Sequence, residues 1–220
     1  MRQAKPRIKL TTLFVVLVIG FILTLLVLWL TIPALRGSKS LIVLFFYSFP
    51  SQFLIATVPH EPVFLYFSKY HPILIVTLVA IAGTLITEFI NYTALHYSSE
   101  FSAVKNISTS KFVDKLITLF NKSPFVALLV AGFSPVPFYP FRFLVVFAEY
   151  PKSKYLLAVF LSRTPRFLML AGLSQMFNIP DYLLVGIFLF MGIYVGIAFL
   201  ISRLRLRRKQ LRADDILSKN

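Results

Sequence analysis

Cysteine is absent from the 220 residues, which excludes disulfide frameworks, zinc–cysteine sites and thiol catalysis. Acidic residues are scarce, 8 against 23 basic ones, leaving a net charge of +15. Histidine occurs three times, at His60, His71 and His96, without the spacing of metal ligands. All three stand near apparent segment boundaries and read as interfacial, so neither a metal nor a cofactor is expected. A glycine-rich phosphate loop, a His-Glu-x-x-His helix and a Gly-x-Ser-x-Gly elbow are also missing. Gly132-Phe133-Ser134 has no histidine after it to activate the serine, and a non-enzymatic role is the expectation. What remains is apolar: 58% hydrophobic residues, 24 of them phenylalanine, and a mean hydropathy of +0.80. That composition excludes a water-soluble globular domain and belongs in lipid. The basic residues lie between apolar runs, so they report membrane topology and not nucleic-acid binding.

Leu10 to Leu35 carries no charge and exceeds the roughly 20 apolar residues needed to cross a bilayer as a helix. With no small-residue cleavage site before Arg36, it reads as a retained first span. Ser40 to His60 is also charge-free, but Pro50 and Pro59 interrupt it and Pro62 follows Glu61. Each proline deletes a backbone donor and crowds the preceding turn, so a broken, re-entrant helical hairpin is expected here. His71 to Tyr97 is a full span starting at Pro72, with Thr84, Thr87, Glu88 and Asn91 on one face. Ser98 to Ser123 is polar and predicts an amphipathic surface helix around Phe112 to Phe120. Pro124 to Ala148 repeats the earlier anomaly, with Pro135, Pro137 and Pro140 crowded before Arg142, and predicts a second re-entrant hairpin. Lys154 to Phe177 and Tyr182 to Ser202 complete the spans, the last carrying a Gly192/Gly196 small-residue pair suited to close helix packing.

Four basic residues lie in the first nine, four in 98–123 and seven from 203 onward, against two in the loop at Arg36 and Lys39 and none at 178–181. Positive segments stay cytoplasmic, so both termini are predicted inside, with four full spans and two hairpins dipping in from opposite sides. The basic ends, 1–9 and 203–220, flank a single integral membrane domain that occupies the whole chain, 1–220. Val63 to Tyr70 resembles Phe143 to Tyr150, and a repeat inverted about broken helices is the pattern of secondary transporters.

Five charges fall inside or beside apolar segments: Glu61, Glu88, Arg142, Arg163 and Arg166. Each costs about 2.5–3.5 kcal/mol at the bilayer centre, so they should face the bundle interior, pair, or line water. Arginines near a kinked polar cavity suit a phosphate through bidentate hydrogen bonds, and a nearby glutamate suits a proton or a counter-ion role. The plainer reading stands beside it: Arg163 and Arg166 capping the carbonyls of broken helices, and Glu88 as a buried structural partner.

The stretch Gly132-Phe133-Ser134-Pro135-Val136-Pro137-Phe138-Tyr139-Pro140-Phe141-Arg142-Phe143, with Tyr150 to Tyr155 and Arg163-Thr164-Pro165-Arg166, resembles the DedA/VTT family, also called SNARE-associated Golgi proteins. The resemblance covers about Ser40 to Phe177. It implies an all-α membrane fold with two opposed re-entrant hairpins, an acidic residue in the first and arginine in the second. It also implies a part in moving lipids between leaflets, either phospholipids or a polyprenyl-phosphate carrier, with a link to the proton-motive force. Glu61 corresponds to the first-hairpin acid, preceded by His60 where the family has glycine. Gly132 stands where many bacterial members have arginine, and Arg142 comes later than their second one.

The expectation is therefore a lipid translocase or scramblase in the cell membrane. Arg142, Arg163 and Arg166 are its candidate phosphate-binding residues, Glu61 and Glu88 its candidate proton-coupling or gating residues. Pro59, Pro62, Pro135, Pro137 and Pro140 would shape the hairpins. Membrane lipids are the expected partners, protons a second one, a homo-oligomer is open, and nucleic acid is not expected. A proton- or ion-coupled small-solute transporter, or a membrane-organising protein without transport, would use the same charges differently.

Overall fold

Proline and the length of the apolar runs decide where the helices begin and end. A computed structural model describes residues 10–54, 58–98, 111–134, 138–177, 179–191 and 193, and every regular element among them is a helix. Helix α1 (Leu10–Thr31) is charge-free and 22 residues long. It stops earlier than the expected Leu35, because Pro33 forces Ile32 into extended backbone before a single turn, α2 (Pro33–Arg36), resumes.

Two helix–break–helix pairs follow the clustered prolines. In the first, α3 (Leu41–Gln52) carries Pro50 in its last turn, and α4 (Glu61–Ser68) starts with Pro62 beside the acidic Glu61. Proline lacks only an N–H that a first turn leaves unbonded, and a carboxylate suits the positive end of the helix dipole. The second pair is α7 (Pro124–Phe133) and α8 (Tyr139–Phe147), both opened by proline. Each pair leads into a 26-residue helix, α5 (Ile73–Ser98) and α9 (Lys152–Phe177). Pro72 lies just ahead of α5, where its carbonyl accepts from the Val76 N–H, and not inside its first turn. The amphipathic α6 (Lys111–Lys122) precedes the second pair, and α10 (Asp181–Met191) closes the described chain.

Among the described residues, Ile73–Tyr97 and Lys152–Phe177 are long and apolar enough to cross a membrane. Their outward faces carry Leu74, Leu78, Phe89, Leu157, Phe160 and Met169, all exposed. The expected basic ends 1–9 and 203–220, the Gly192/Gly196 pair, and Pro135 and Pro137 lie outside the described residues.

Packing follows the same rule in both halves. The first arm of each pair lies along the long helix that follows it, α3 on α5 and α7 on α9, while the second arms cross over, α4 to α9 and α8 to α5. Leu44, Phe64, Phe67, Val76, Ala80 and Phe167 form one apolar core, and Leu128, Ala131, Phe138, Val145, Tyr155 and Val159 the other. Small residues let the first arms approach. A Cβ on Gly83 would lie 2.8 Å from Ser48 Cβ, and one on Gly132 would lie 2.8 Å from Ser162 Cβ and 2.1 Å from its Oγ. Gly83 and Ser162 stand at the same place in the two long helices, so a glycine–serine contact is used twice with its members exchanged.

The connections sort to two ends. At one, Lys69 pairs with Asp181 at 2.6 Å, His71 Nε2 meets the Lys39 carbonyl at 2.6 Å, and Gln175 donates to the carbonyls of Ser68 and His71. At the other, the Tyr92 hydroxyl donates to the Tyr150 carbonyl at 3.0 Å and Lys152 reaches Thr93 at 3.2 Å, with Phe120 edge-on to Tyr150.

Candidate functional site

The crossed second arms carry Glu61 and Arg142 to the three charges of the long helices, Glu88, Arg163 and Arg166. Glu88, on α5, is completely buried, and so are Thr84, Thr87 and Asn91 on its expected face. Arg142, on α8, is 4% exposed and grips the Glu88 carboxylate with two nitrogens. Nε lies 2.9 Å from Oε2, and the terminal nitrogen NH2 lies 2.6 Å from Oε1. Tyr155 donates its hydroxyl to Oε2 at 2.7 Å and Asn91 its amide to the same oxygen at 3.2 Å. A carboxylate this deep is tolerable only because a charged fork and two neutral donors replace its water.

The same groups finish the first break. Where α3 ends, the carbonyls of Gln52 and Leu54 have lost their helical partners. Arg142 donates to Leu54 O at 3.1 Å, and Asn91 donates to Gln52 O and accepts from the Leu54 N–H, both at 2.9 Å. Arg163 joins through the Gln52 side chain at 3.0 Å, lies 3.8 Å from Glu88, and faces the Phe138 ring with its guanidinium carbon 4.9 Å from the centroid.

The second charge pair is the counterpart. Arg166, on α9, pairs with Glu61 at the start of α4, and its other terminal nitrogen donates to the carbonyls of Ser134 at 2.7 Å and Gly132 at 3.3 Å. An arginine from elsewhere in the chain thus closes the carbonyl end of each broken first arm, and a glutamate holds that arginine. The capping expected of Arg163 and Arg166 is carried out by Arg142 and Arg166. The difference between the pairs is access: the Glu61 side chain is 37% exposed and that of Arg166 14%.

The proline expectations resolve individually. Pro59 presents its carbonyl to the Tyr47 hydroxyl at 2.8 Å, and Pro62 and Pro140 open the second arms. His60 corrects the sequence reading: it is not interfacial but 8% exposed, stacked among Tyr47, Phe64 and Phe167, with Nδ1 2.9 Å from Ser51 Oγ. His96 is exposed and His71 is half-buried. Gln52 and Tyr155 were not among the expected site residues. An amide at the end of an apolar run was the available signal for Gln52, and nothing in the local pattern distinguishes Tyr155.

These features define a helical protein whose membrane-capable helices enclose paired charges between two broken helices. Residues 58–176 match the VTT domain family over more than half of the chain, and the protein belongs to that family, the DedA or SNARE-associated Golgi group. The match starts beyond α3, later than the Ser40 expected. No curated protein and no solved structure matches the chain. The family is membrane-associated and is generally linked to membrane transport or lipid functions.

Proposed function

We propose that this protein is a lipid translocase or scramblase of the cell membrane, passing the headgroup of a phosphate-bearing lipid between leaflets with no covalent change to the lipid. In this reading α1, α5, α9 and the apolar segment Tyr182 to Ser202, which α10 opens, are four spans, and both termini are cytoplasmic. The two broken pairs are re-entrant hairpins that enter from opposite sides as an inverted repeat. The sorting of the connections to two ends, with 36–40, 69–72 and 179–181 together, supports that topology.

The observation that carries the proposal is the half-open Glu61–Arg166 pair. A headgroup phosphate in hydrocarbon is prohibitively costly unless its charge is met. Arg166 offers a guanidinium already held between the breaks of the two hairpins, at Ser134 in one and Glu61 in the other, and a phosphate can replace the Glu61 carboxylate on it. Glu61 is then free to take a proton or a headgroup cation, which couples or gates the exchange. Arg163 adds positive field beside it. Arg142 and Glu88, closed on each other, hold the two halves in register. The acyl chains stay in the bilayer beside the exposed apolar faces of α5 and α9.

Purified protein in liposomes, with acyl-labelled phospholipid and an impermeant quencher, tests this directly. Movement well above protein-free vesicles that slows at least tenfold in Arg166→Gln, in a variant that still unfolds cooperatively, is the expected result. No movement above protein-free vesicles, with or without a proton gradient, would remove the phospholipid reading. Uptake of a small solute driven by that gradient would instead favour a solute transporter.

A further inference from the structure

Beside the Glu61–Arg166 pair lie three buried polar atoms with no hydrogen-bond partner: His60 Nε2, Arg163 Nε and Ser134 Oγ. A chain of contacts ties them to one place. Ser134 presents its carbonyl to Arg166, Arg166 pairs with Glu61, Glu61 follows His60 in the chain, and Arg163 stands one turn before Arg166 on α9. His60 also packs on Phe167, the residue after Arg166, with ring centroids 5.6 Å apart. Orphaned polar groups are costly in an interior, and three at one junction call for a ligand.

The hydrogen bonds of His60 assign its tautomer and hence the ligand's chemistry. Ser51 has one hydroxyl proton, and its 2.7 Å approach to Tyr47 O, a carbonyl that can only accept, assigns the proton to that contact. Toward His60 the Ser51 oxygen is therefore an acceptor, and Nδ1 carries the proton that it receives at 2.9 Å. Neutral His60 then presents a bare lone pair at Nε2, an acceptor with nothing to accept. Arg163 Nε is the reverse, a donor with nothing to donate to, and the Ser134 hydroxyl, able to donate or accept, does neither.

An unused donor, an unused acceptor and a hydroxyl that can act as either, around an ion pair of Glu61 and Arg166, fit a group that both accepts and donates. Resting on the lipid reading above, we propose that His60 is a specificity-determining residue, selecting headgroups that carry an N–H or O–H donor beside the phosphate. The phosphate oxygens accept from Arg166, Arg163 Nε and Ser134 Oγ, while the headgroup donor meets His60 Nε2 and the released Glu61 carboxylate. A primary ammonium meets this demand. A quaternary ammonium has no N–H and leaves Nε2 orphaned. Such an exchange swaps one ion pair for two, so no charge is left unmatched while the headgroup crosses.

The test uses the full chain in liposomes and two lipids with identical labelled acyl chains, phosphatidylethanolamine and phosphatidylcholine. The wild-type protein moves the ethanolamine lipid about tenfold faster, the ratio expected for one hydrogen bond to a charged donor. His60→Phe brings the ratio to about one, and His60→Gln, which keeps an acceptor near Nε2, restores most of it. A purely structural lesion slows both lipids and leaves the ratio where it was. Equal wild-type rates, or a ratio that survives His60→Phe, overturn the role of His60 and leave lipid movement standing. If neither lipid moves faster than in protein-free vesicles, both readings fall together.

Discussion

The two ion pairs contain the same chemical groups and serve opposite purposes. Glu88–Arg142 is sealed, the carboxylate satisfied from every side and the guanidinium spread between it and a backbone carbonyl. Glu61–Arg166 is bound as firmly at one end, through the Ser134 and Gly132 carbonyls, but its carboxylate is over a third exposed. Burial converts one pair into a staple between the halves. Partial exposure leaves the other able to exchange partners. The difference between them underlies the proposed function, and it can be broken at either side.

The largest stability effect belongs to the sealed pair. Removing one partner strands a buried charge, so Arg142→Gln or Glu88→Gln should cost about 3–5 kcal/mol. The double variant, with two neutral amides in place of two charges, should recover a substantial part. Thermal unfolding in detergent reads both effects, and additive losses in the double variant would show that the two residues act independently.

At the open pair the order inverts. Glu61→Gln leaves Arg166 with water and two carbonyls, and exposure limits the stability loss to about 1 kcal/mol or less. Lipid movement, by contrast, should change several-fold in the liposome assay. A stability loss as large as that of Arg142→Gln would mean that both pairs are staples.

The glycine contacts come next and separate packing from charge. Gly132→Ala forces α7 away from Ser162 and should destabilise by about 1–3 kcal/mol, with recovery in the Gly132→Ala/Ser162→Gly double variant. Since that variant carries the glycine–serine arrangement in small residues only, its recovery, measured by unfolding in detergent, would confirm that contact distance is the constraint.

Much of this arrangement is legible in the residues alone. Charges inside apolar runs marked Glu61, Glu88, Arg142, Arg163 and Arg166, and the three-to-four spacing placed Thr84, Thr87, Glu88 and Asn91 on one buried face. Clustered prolines located both breaks. Partnership was not legible, because which glutamate meets which arginine depends on the second arms crossing between halves, a long-range choice that no local pattern encodes. His60 was misplaced for a related reason: a histidine between two prolines looks like a boundary, and only the packing of Tyr47, Phe64 and Phe167 around it reveals an interior. Tyr155 contributes a hydroxyl to Glu88 from the first turn of α9, beside Ala158 and Val159, where tyrosine and phenylalanine are indistinguishable by pattern.

The smallest effect is expected where both kinds of pair are absent. Lys69–Asp181 joins the end of α4 to the start of α10 at the molecule's surface, with the Asp181 side chain 62% exposed. Screening by water and salt leaves such a contact about 0.2–1 kcal/mol, so Asp181→Asn should shift unfolding by no more than that and by less at high ionic strength. The comparison is useful because the distance is as short as that of Arg142 to Glu88, 2.6 Å in each. If Asp181→Asn were as damaging as Glu88→Gln, contact distance would govern these pairs. A near-silent result, with salt sensitivity in Lys69–Asp181 and none in Glu88–Arg142, assigns the difference to desolvation, the same quantity that leaves Glu61 free to release Arg166.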